Sequence, residues 1–295
     1  MAARVLELYC GIGGCAAALG TRAEIVAAVD INRAALEVYR HNFPHPVVAR
    51  TIDSIGVADL ERWRADLWWL SPPCQPFTRR GLRRDDADPR SASLLRLIEL
   101  LDRTPPPCLA LENVPGFAGS RTHALLRAAL DRQGYEVRET QICPSDLGVP
   151  NRRLRFYLVA ARERLLDPPP TSPAKRPLGA HLDPEPSEEL WPETSLVRRY
   201  RQAIDLVEPD NPAAVTACFT AAYGRSPVRS GSYLATPAGP RRFSPAEILR
   251  LLGFPQSYRL PPGLPLANAW RLVGNSLSVD AVRQVLKHLP VIAAG

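Results

Sequence analysis

The sequence predicts an α/β protein, and three observations carry that prediction. Short apolar runs of strand length alternate with stretches of helical periodicity along the first half of the chain. These runs end abruptly in glycine, proline or an acid, as strands do when they feed tight turns. The length of 295 residues suits one large α/β domain, or a large domain with a small companion.

Residues 4–9 (RVLELY) read as the first strand, followed by Cys10-Gly11-Ile12-Gly13-Gly14 and a helical stretch over 15–19. A strand that turns through glycines into a helix brings backbone N–H groups toward a ligand. Residues 24–30 form a second strand, ending at Asp30, 19 positions after Gly11. Nucleotide-binding βαβ units place at that spacing the carboxylate that holds a ribose hydroxyl pair. The glycine pattern is GxGG rather than GxGxxG, which argues for an adenosine ligand without a pyrophosphate. After a short strand over 47–52, Asp53 has two readings: an acceptor for an adenine amino group, or a cap or turn residue.

Residues 67–70 (LWWL) are a buried strand stopped by Pro72-Pro73, so Cys74 sits at a strand's carboxyl end, where open α/β sheets present ligands. Pro73 and Pro76 stiffen the turn around it. Arg79, Arg80, Arg83 and Arg84 follow, a positive field that favours thiolate over thiol and attracts an anionic substrate. The competing reading is a small buried cysteine, as most free cysteines are. Strand end, prolines and arginines together favour a nucleophile. Residues 78–90 carry charge without an apolar pattern, which predicts a mobile loop.

A helix over 91–103 leads through three prolines into a strand over 108–111, which ends in Glu112-Asn113-Val114. Glu112 falls on the same sheet face as Cys74 and is the candidate partner acid. A helix over 122–133 and strands over 135–142 and 156–161 follow, with Arg153 and Arg155 spaced so that both face one cleft. Eight prolines between Asp167 and Pro192 mark a linker. A smaller unit then covers 195–262, with a helix over 244–252 and turn-rich loops at Cys218-Phe219-Thr220 and Tyr223-Gly224. Residues 271–289 predict a turn at Gly274-Asn275-Ser276 and then an amphipathic helix.

The formal charge of +7 rests almost wholly on arginine, since Lys175 and Lys287 are the only lysines. Arginine suits phosphate contacts and base stacking, although a GC-rich genome produces the same bias. The six cysteines form no CxxC pair and no cluster of zinc spacing, so no metal is expected. No signal-peptide pattern and no apolar run of membrane-spanning length occurs, so the expected location is the cytoplasm, with reduced thiols and no membrane partner.

The segments YCGIGG, SPPCQPF, LENV, NRRLRFYLVA and GNSLSV, in this order over nearly the full chain, resemble the cytosine-5 methyltransferase family. Within it, EVYRHNFP (37–44), PPCQPFTR (72–79), GVPNRRLRFYLVA with Asn151, and CFT followed by YG (218–224) resemble the branch that methylates tRNA. The resemblance implies a doubly wound, mostly parallel sheet of the Rossmann-like class I type that binds S-adenosylmethionine. Residues 1–166, completed by 263–295, would be the catalytic domain, and 167–262 a linker and small target-recognition domain. Cys74 would add to cytosine C6, Glu112 would act on N3 and the exocyclic amine, and Arg153 and Arg155 would hold the base O2 and the carboxylate. Gly11, Ile12, Gly13 and Gly14 would line the methionine part of the cofactor, Asp30 its ribose, and Ile52 and Asp53 its adenine. Ser71 and Asn275 would close that pocket. Gln75, Arg79, Arg80, Asn151, Cys218, Phe219, Thr220 and Tyr223 would meet the nucleic acid. The implied substrate is cytosine in the anticodon loop of tRNA. DNA, as in a restriction-modification system, is the alternative, and an inactive nucleic-acid-binding protein is a third reading that the intact Cys74, Glu112, Arg153 and Arg155 oppose.

Overall fold

A computed structural model describes residues 2–77, 88–169 and 173–293. The expected loop arginines Arg79, Arg80, Arg83 and Arg84 lie outside these described residues, as does most of the expected mobile loop. The chain forms two compact units. One comprises Met1–Ile142, Leu154–Pro169 and Val282–Gly295, and the other Cys143–Arg153 and Pro170–Ala281. The smaller unit therefore takes 143–153 and 263–281, which the sequence reading assigned to the catalytic domain. Backbone pairing is the reason for the first of these: Thr216 N–H donates to Pro150 O at 3.0 Å, and Arg152 N–H donates to Thr216 O at 2.8 Å.

The first unit contains β1 (Ala3–Leu8), α1 (Gly14–Leu19), β2 (Ala23–Asp30), α2 (Arg33–Asn42), β3 (Val47–Ala49), α3 (Val57–Trp63) and β4 (Leu67–Leu70). It continues through α4 (Ala92–Leu101), β5 (Cys108–Asn113), α5 (Arg121–Arg132), β6 (Glu136–Ile142) and β7 (Arg155–Ala161). The described strands make a seven-stranded sheet in the order β3-β2-β1-β4-β5-β7-β6. β1 to β5 run parallel, and β7 is inserted antiparallel between β5 and β6. This is the doubly wound, mostly parallel sheet that the sequence predicts. Its order reverses between β1 and β4, and a crevice at the carboxyl ends of strands opens at such a switch point.

Both sheet faces are covered, which is why the strands read as continuous apolar runs. Leu6, Val29, Leu70, Leu111 and Leu158 point to one face and pack with Trp63 of α3, Leu97 of α4 and Leu130 of α5. The intervening Val5, Ala28, Trp69, Ala110 and Tyr157 are as deeply buried on the other face. Glu7 breaks this pattern as a carboxyl in mid-strand, only 1% exposed. No described helix is long and apolar enough to cross a membrane.

The second unit contains α6 (Thr194–Tyr200), β8 (Asp205–Val207), β9 (Ser232–Leu234), β10 (Arg241–Arg242), α7 (Pro245–Leu251) and α8 (Leu266–Asn275). β9 pairs parallel with β8 and antiparallel with β10. α9 (Val279–Leu286) begins in this unit and ends in the first. The expected turn at 274–276 is corrected: α8 continues through Gly274 and Asn275, and the chain breaks only at Ser276. Glycine is tolerated in that last helical turn because a Cβ on Gly274 would overlap the Thr220 carbonyl and the Ala221 N–H.

The expected helix over 244–252 is α7, and a reciprocal cap starts it. Ser244 Oγ accepts the Glu247 N–H at 3.1 Å, and Glu247 Oε2 accepts the Ser244 N–H at 2.7 Å. The same carboxylate takes a bidentate pair from Arg241 at 2.7 and 2.9 Å, with both side chains buried. Removing one partner of such a pair strands the other charge away from water. Glu247→Ala is expected to cost about 3–5 kcal/mol in urea unfolding followed by a probe in the second unit, against under about 1 kcal/mol for breaking the exposed pair Arg96–Glu99.

Candidate active site

The glycine loop leaves the end of β1 through two residues in the left-handed region, Gly11 at φ 52° and Gly13 at φ 87°. Only glycine adopts those angles without strain. Asp30, at the end of β2, binds this loop directly: Oδ2 accepts the Gly11 N–H at 2.8 Å, and Oδ1 accepts the Asn32 N–H at 2.8 Å. Beside it Ile31 is 68% exposed, an unusual position for a large apolar side chain next to a strand end. Sequence reasoning missed Ile31, although an apolar residue directly after a strand-end acid was there to be noticed.

β3 stops at Ala49, earlier than expected, and a single 3-10 turn, Ile52–Ser54, follows. Ile52 is buried and Asp53 exposed. Thr51 is the cap of that turn and Gly56 the cap of α3, so Asp53 serves neither as cap. Tyr9, also unanticipated, sits at φ 56° just before the glycine loop, and its hydroxyl donates to Ser93 Oγ at 2.9 Å. Burial raises the Tyr9 pKa, and the charges of Asp53 and Asp30 raise it further, which puts the ring near both acids.

Cys74 follows β4, whose limits match the sequence reading. Ser71 joins β4 to β1, its N–H donating to Leu8 O at 3.3 Å, while its Oγ accepts from Trp69 Nε1 at 2.8 Å. Cys74 is half-buried immediately before a one-turn helix, Gln75–Phe77, with its carbonyl accepting the Phe77 N–H at 3.0 Å; Gln75 is exposed. The neighbouring strand's loop holds this turn in place. Asn113 Nδ2 donates to Pro72 O at 3.2 Å, and the rings of Phe77 and Phe117 meet edge to face at 5.0 Å. Gly116 lies so close to the Phe77 carbonyl that a Cβ there would overlap it.

Arg90 lies within electrostatic range of Cys74. The Asp88 hydrogen bonds hold its guanidinium above its ordinary pKa, and the Cys74 charge adds to this. Such a neighbour favours thiolate over thiol. The sequence reading assigned that role to Arg79, Arg80, Arg83 and Arg84 and overlooked Arg90, at the end of the same charged stretch.

Glu112 stands opposite Tyr157 in the antiparallel pair of β5 and β7, so Arg155, two residues from Tyr157, projects from the same face. Arg155 Nε pairs with Glu112 Oε1 at 3.2 Å, both side chains being largely buried. Arg153 meets a different set of partners. It is 4% exposed and donates to Phe219 O at 2.9 Å, to Gly274 O at 3.4 Å, to Ser276 O and to Cys218 Sγ at 3.4 Å. A planar guanidinium with several donors suits the gathering of carbonyls from separate segments.

Three expected substrate contacts are buried within the second unit. Phe219 and Tyr223 are 2% and 1% exposed, with their rings 4.9 Å apart. The Tyr223 hydroxyl donates to Ser232 O at 2.6 Å and accepts the Phe243 N–H at 2.9 Å. Asn151 is buried, with its amide donating to Thr216 Oγ1 at 2.9 Å and Ala217 O at 3.2 Å. Cys218 and Thr220 are half-buried, and Asn275 is exposed at the end of α8.

An open sheet that reverses its order between β1 and β4, with one antiparallel strand wedged beside β5, is the architecture of the Rossmann-like methyltransferases that use S-adenosylmethionine. The model of the C-5 cytosine-specific DNA methylases matches residues 3–181 and 182–290. The chain belongs to that family, and is an S-adenosylmethionine-dependent cytosine-5 methyltransferase. A tRNA (cytosine(38)-C(5))-methyltransferase of Spodoptera frugiperda is 33% identical over 98% of this chain and 99% of its own. A DNA (cytosine-5)-methyltransferase of Dictyostelium discoideum is 29% identical over 97% of this chain and 94% of its own. Among solved structures, the Entamoeba histolytica methyltransferase EhMeth superposes with a TM-score of 0.91 at 25% identity, covering 98% of each chain.

Gly116→Ala is the sharpest test of the support under Cys74. The new methyl displaces the Phe77 carbonyl and tilts the turn, so methyl transfer is expected to fall by about 10²-fold, while the affinity for S-adenosylhomocysteine, measured by calorimetry, stays within about twofold.

Proposed function

We propose that this enzyme methylates C5 of a cytosine in the anticodon loop of tRNA through a covalent bond between Cys74 and C6. The observation that carries the reading is the clamped turn presenting Cys74 one strand away from Glu112. Cytosine C5 is a poor nucleophile, so a thiolate must first add to C6, which turns C5 into an enamine carbon. Arg90 assists by favouring the thiolate. Glu112 acts on N3 and the exocyclic amine, where charge develops as the ring loses aromaticity. Arg155 fixes the Glu112 carboxyl and lays positive charge beside the base. Once C5 is methylated, loss of its proton and expulsion of the Cys74 thiolate restore the ring. Arg153 is a positioning residue in this scheme, since its two terminal nitrogens donate to the Phe219, Gly274 and Ser276 carbonyls.

The residues present fit S-adenosylmethionine, which when bound supplies an electrophilic methyl group on a sulfonium. Each Asp30 oxygen accepts one N–H and keeps a lone pair for a ribose hydroxyl. Ile31 offers exposed apolar surface to an adenine, and Asp53 a nearby carboxylate. A Cβ on Gly11 would project into open space, the room that the methionine part takes. Ile12, Gly13, Gly14, Ile52 and Ser71 complete the proposed cofactor site within the first unit.

The tRNA reading is supported by the Spodoptera frugiperda relative and by the CFT and YG segment with Asn151. Cys218 and Thr220 remain the candidate RNA contacts of that segment, with Gln75, Arg79 and Arg80 from the loop after Cys74. A base must leave its stack to reach Cys74, which costs less in a loop than in a duplex. The reduced thiol that this chemistry requires suits the cytoplasm. The Dictyostelium discoideum relative favours a second reading, with DNA as the substrate. Labelled S-adenosylmethionine offered in parallel to total tRNA and to duplex DNA separates the two. Label is expected in tRNA alone, at background for Cys74→Ala and lowered about 10²–10⁴-fold for Glu112→Gln; label in DNA alone would overturn the tRNA reading, and full transfer by Cys74→Ala the covalent one.

A further inference from the structure

The EVYRHNFP segment has no part in the mechanism above, yet its side chains gather under the glycine loop. Glu7 Oε1 accepts the Ala16 N–H of α1 at 3.4 Å, and Glu7 Oε2 lies 2.9 Å from the Tyr39 hydroxyl. That hydroxyl is also 3.0 Å from His45 Nδ1. Phe43 stacks on His45 with ring centroids 5.4 Å apart, and its ring edge fills the position that a Cβ on Gly13 would need. Glu7 and Tyr39 are 1% and 0% exposed while His45 is half-buried, so the chain of hydrogen bonds runs from beneath the loop toward the surface.

Tyr39 has one proton to donate and two neighbours to satisfy. When Glu7 is a neutral acid it donates to Tyr39, Tyr39 donates to His45 Nδ1, and the imidazole proton lies on Nε2. When Glu7 is ionised, Tyr39 donates to the carboxylate and His45 Nδ1–H donates to Tyr39. Each arrangement is complete, and the proton on Glu7 selects between them. The groups around Glu7 are Tyr39 on α2, the Cys10 and Cys15 thiols in the loop and α1, Asp30 on β2, and His45. Arg40 acts on Cys10. Burial is the largest influence and pushes Glu7 up to about 8; the Tyr39, Ala16 and Cys15 hydrogen bonds oppose it, and Asp30 adds to it. Burial also lowers the His45 pKa, which keeps that ring neutral near pH 7.

We propose that Glu7, Tyr39 and His45 form a positioning relay for the cofactor loop, in which the Glu7 proton sets the His45 tautomer and the charge beneath Gly11–Gly14. The inference rests on the reading that this loop holds the methionine end of the cofactor. A sulfonium is cationic before methyl transfer and a neutral thioether after it, so an ionised Glu7 favours S-adenosylmethionine over S-adenosylhomocysteine. The relay thereby couples pH to exchange of product for fresh cofactor.

Two measurements without nucleic acid test it, so its failure is distinguishable from failure of the tRNA reading. In cofactor-free protein, ring-nitrogen chemical shifts of His45 are expected to report Nδ1 changing from acceptor to donor with a midpoint near 8. Glu7→Gln mimics the neutral acid, with an amide N–H in place of the acid O–H toward Tyr39 and a carbonyl acceptor beside it, and is expected to hold Nδ1 as acceptor from about pH 6 to pH 9. Tyr39→Phe breaks the link and removes the response. In calorimetry, the preference for S-adenosylmethionine over S-adenosylhomocysteine is expected to rise about tenfold between about pH 7 and pH 9, and to stay flat in Glu7→Gln. Stability supplies the sign check. A carboxyl raised from 4.5 to about 8 stabilises the fold fully below pH 4.5 and loses that contribution as pH rises through 8. The melting temperature of Glu7→Gln is therefore expected to gain on the wild type across that window. A His45 tautomer that ignores pH in the wild type, or a preference that rises equally in Glu7→Gln, would overturn the relay.

Discussion

Parallel pairing of β1 with β4 is the constraint on which the rest of the first unit depends. It sets Leu8 against Leu70, and the Ser71 N–H on Leu8 O carries the pairing one residue beyond the strands. The glycine loop and the Cys74 turn therefore leave the sheet side by side, one from each strand. Sheet order reverses there, so no crossover helix covers the strand ends. The glycine loop and Cys74, far apart in sequence, become neighbours through backbone hydrogen bonds. β5 extends the logic by one strand, since Leu70 pairs with Leu111 and leaves Glu112 at the next level out.

Arginine in this chain is used less as a uniform positive surface than as a set of separate fasteners. Arg155 serves a carboxylate, Arg153 gathers carbonyls, Arg241 neutralises a buried helix cap, and Arg90 is braced by Asp88 beside Cys74. The difference follows from burial. An arginine shut away from water needs an acceptor for each donor, and its partners decide its function. Net charge counts all of these alike, so it says little about which of them meets nucleic acid.

The sheet and the Cys74 turn were legible in the sequence because their signals are local: apolar runs of strand length, glycines at positive φ and prolines around a cysteine. β4 and β7 came within one residue of their observed limits. The small unit was legible only in outline, since its long-range pairings leave no periodic trace. Thr216 against Pro150 and Gly274 against Thr220 are contacts between distant segments, and neither follows from nearby residues. For the same reason the burial of Phe219, Tyr223 and Asn151 was not legible: their motif is local, while the core around them is assembled from elsewhere. Ile31 and Arg90 were missed for the opposite reason, as single residues at the edges of patterns already recognised.

The two buried carboxyls show how partners determine what a charge can do. Glu247 faces a guanidinium that donates to both its oxygens, so ionisation there is matched within the fold. Glu7 has no such cation among the groups acting on it, only a phenol, two backbone N–H groups and a second acid. Burial then outweighs hydrogen bonding, and the proton stays on at neutral pH. A purely structural role would be served as well by an apolar residue, since a lone buried acid offers the fold nothing that leucine does not. Its place between the glycine loop and the Tyr39 hydroxyl makes sense if the proton itself is useful, and a carboxyl that titrates near 8 is poised to gain and lose it.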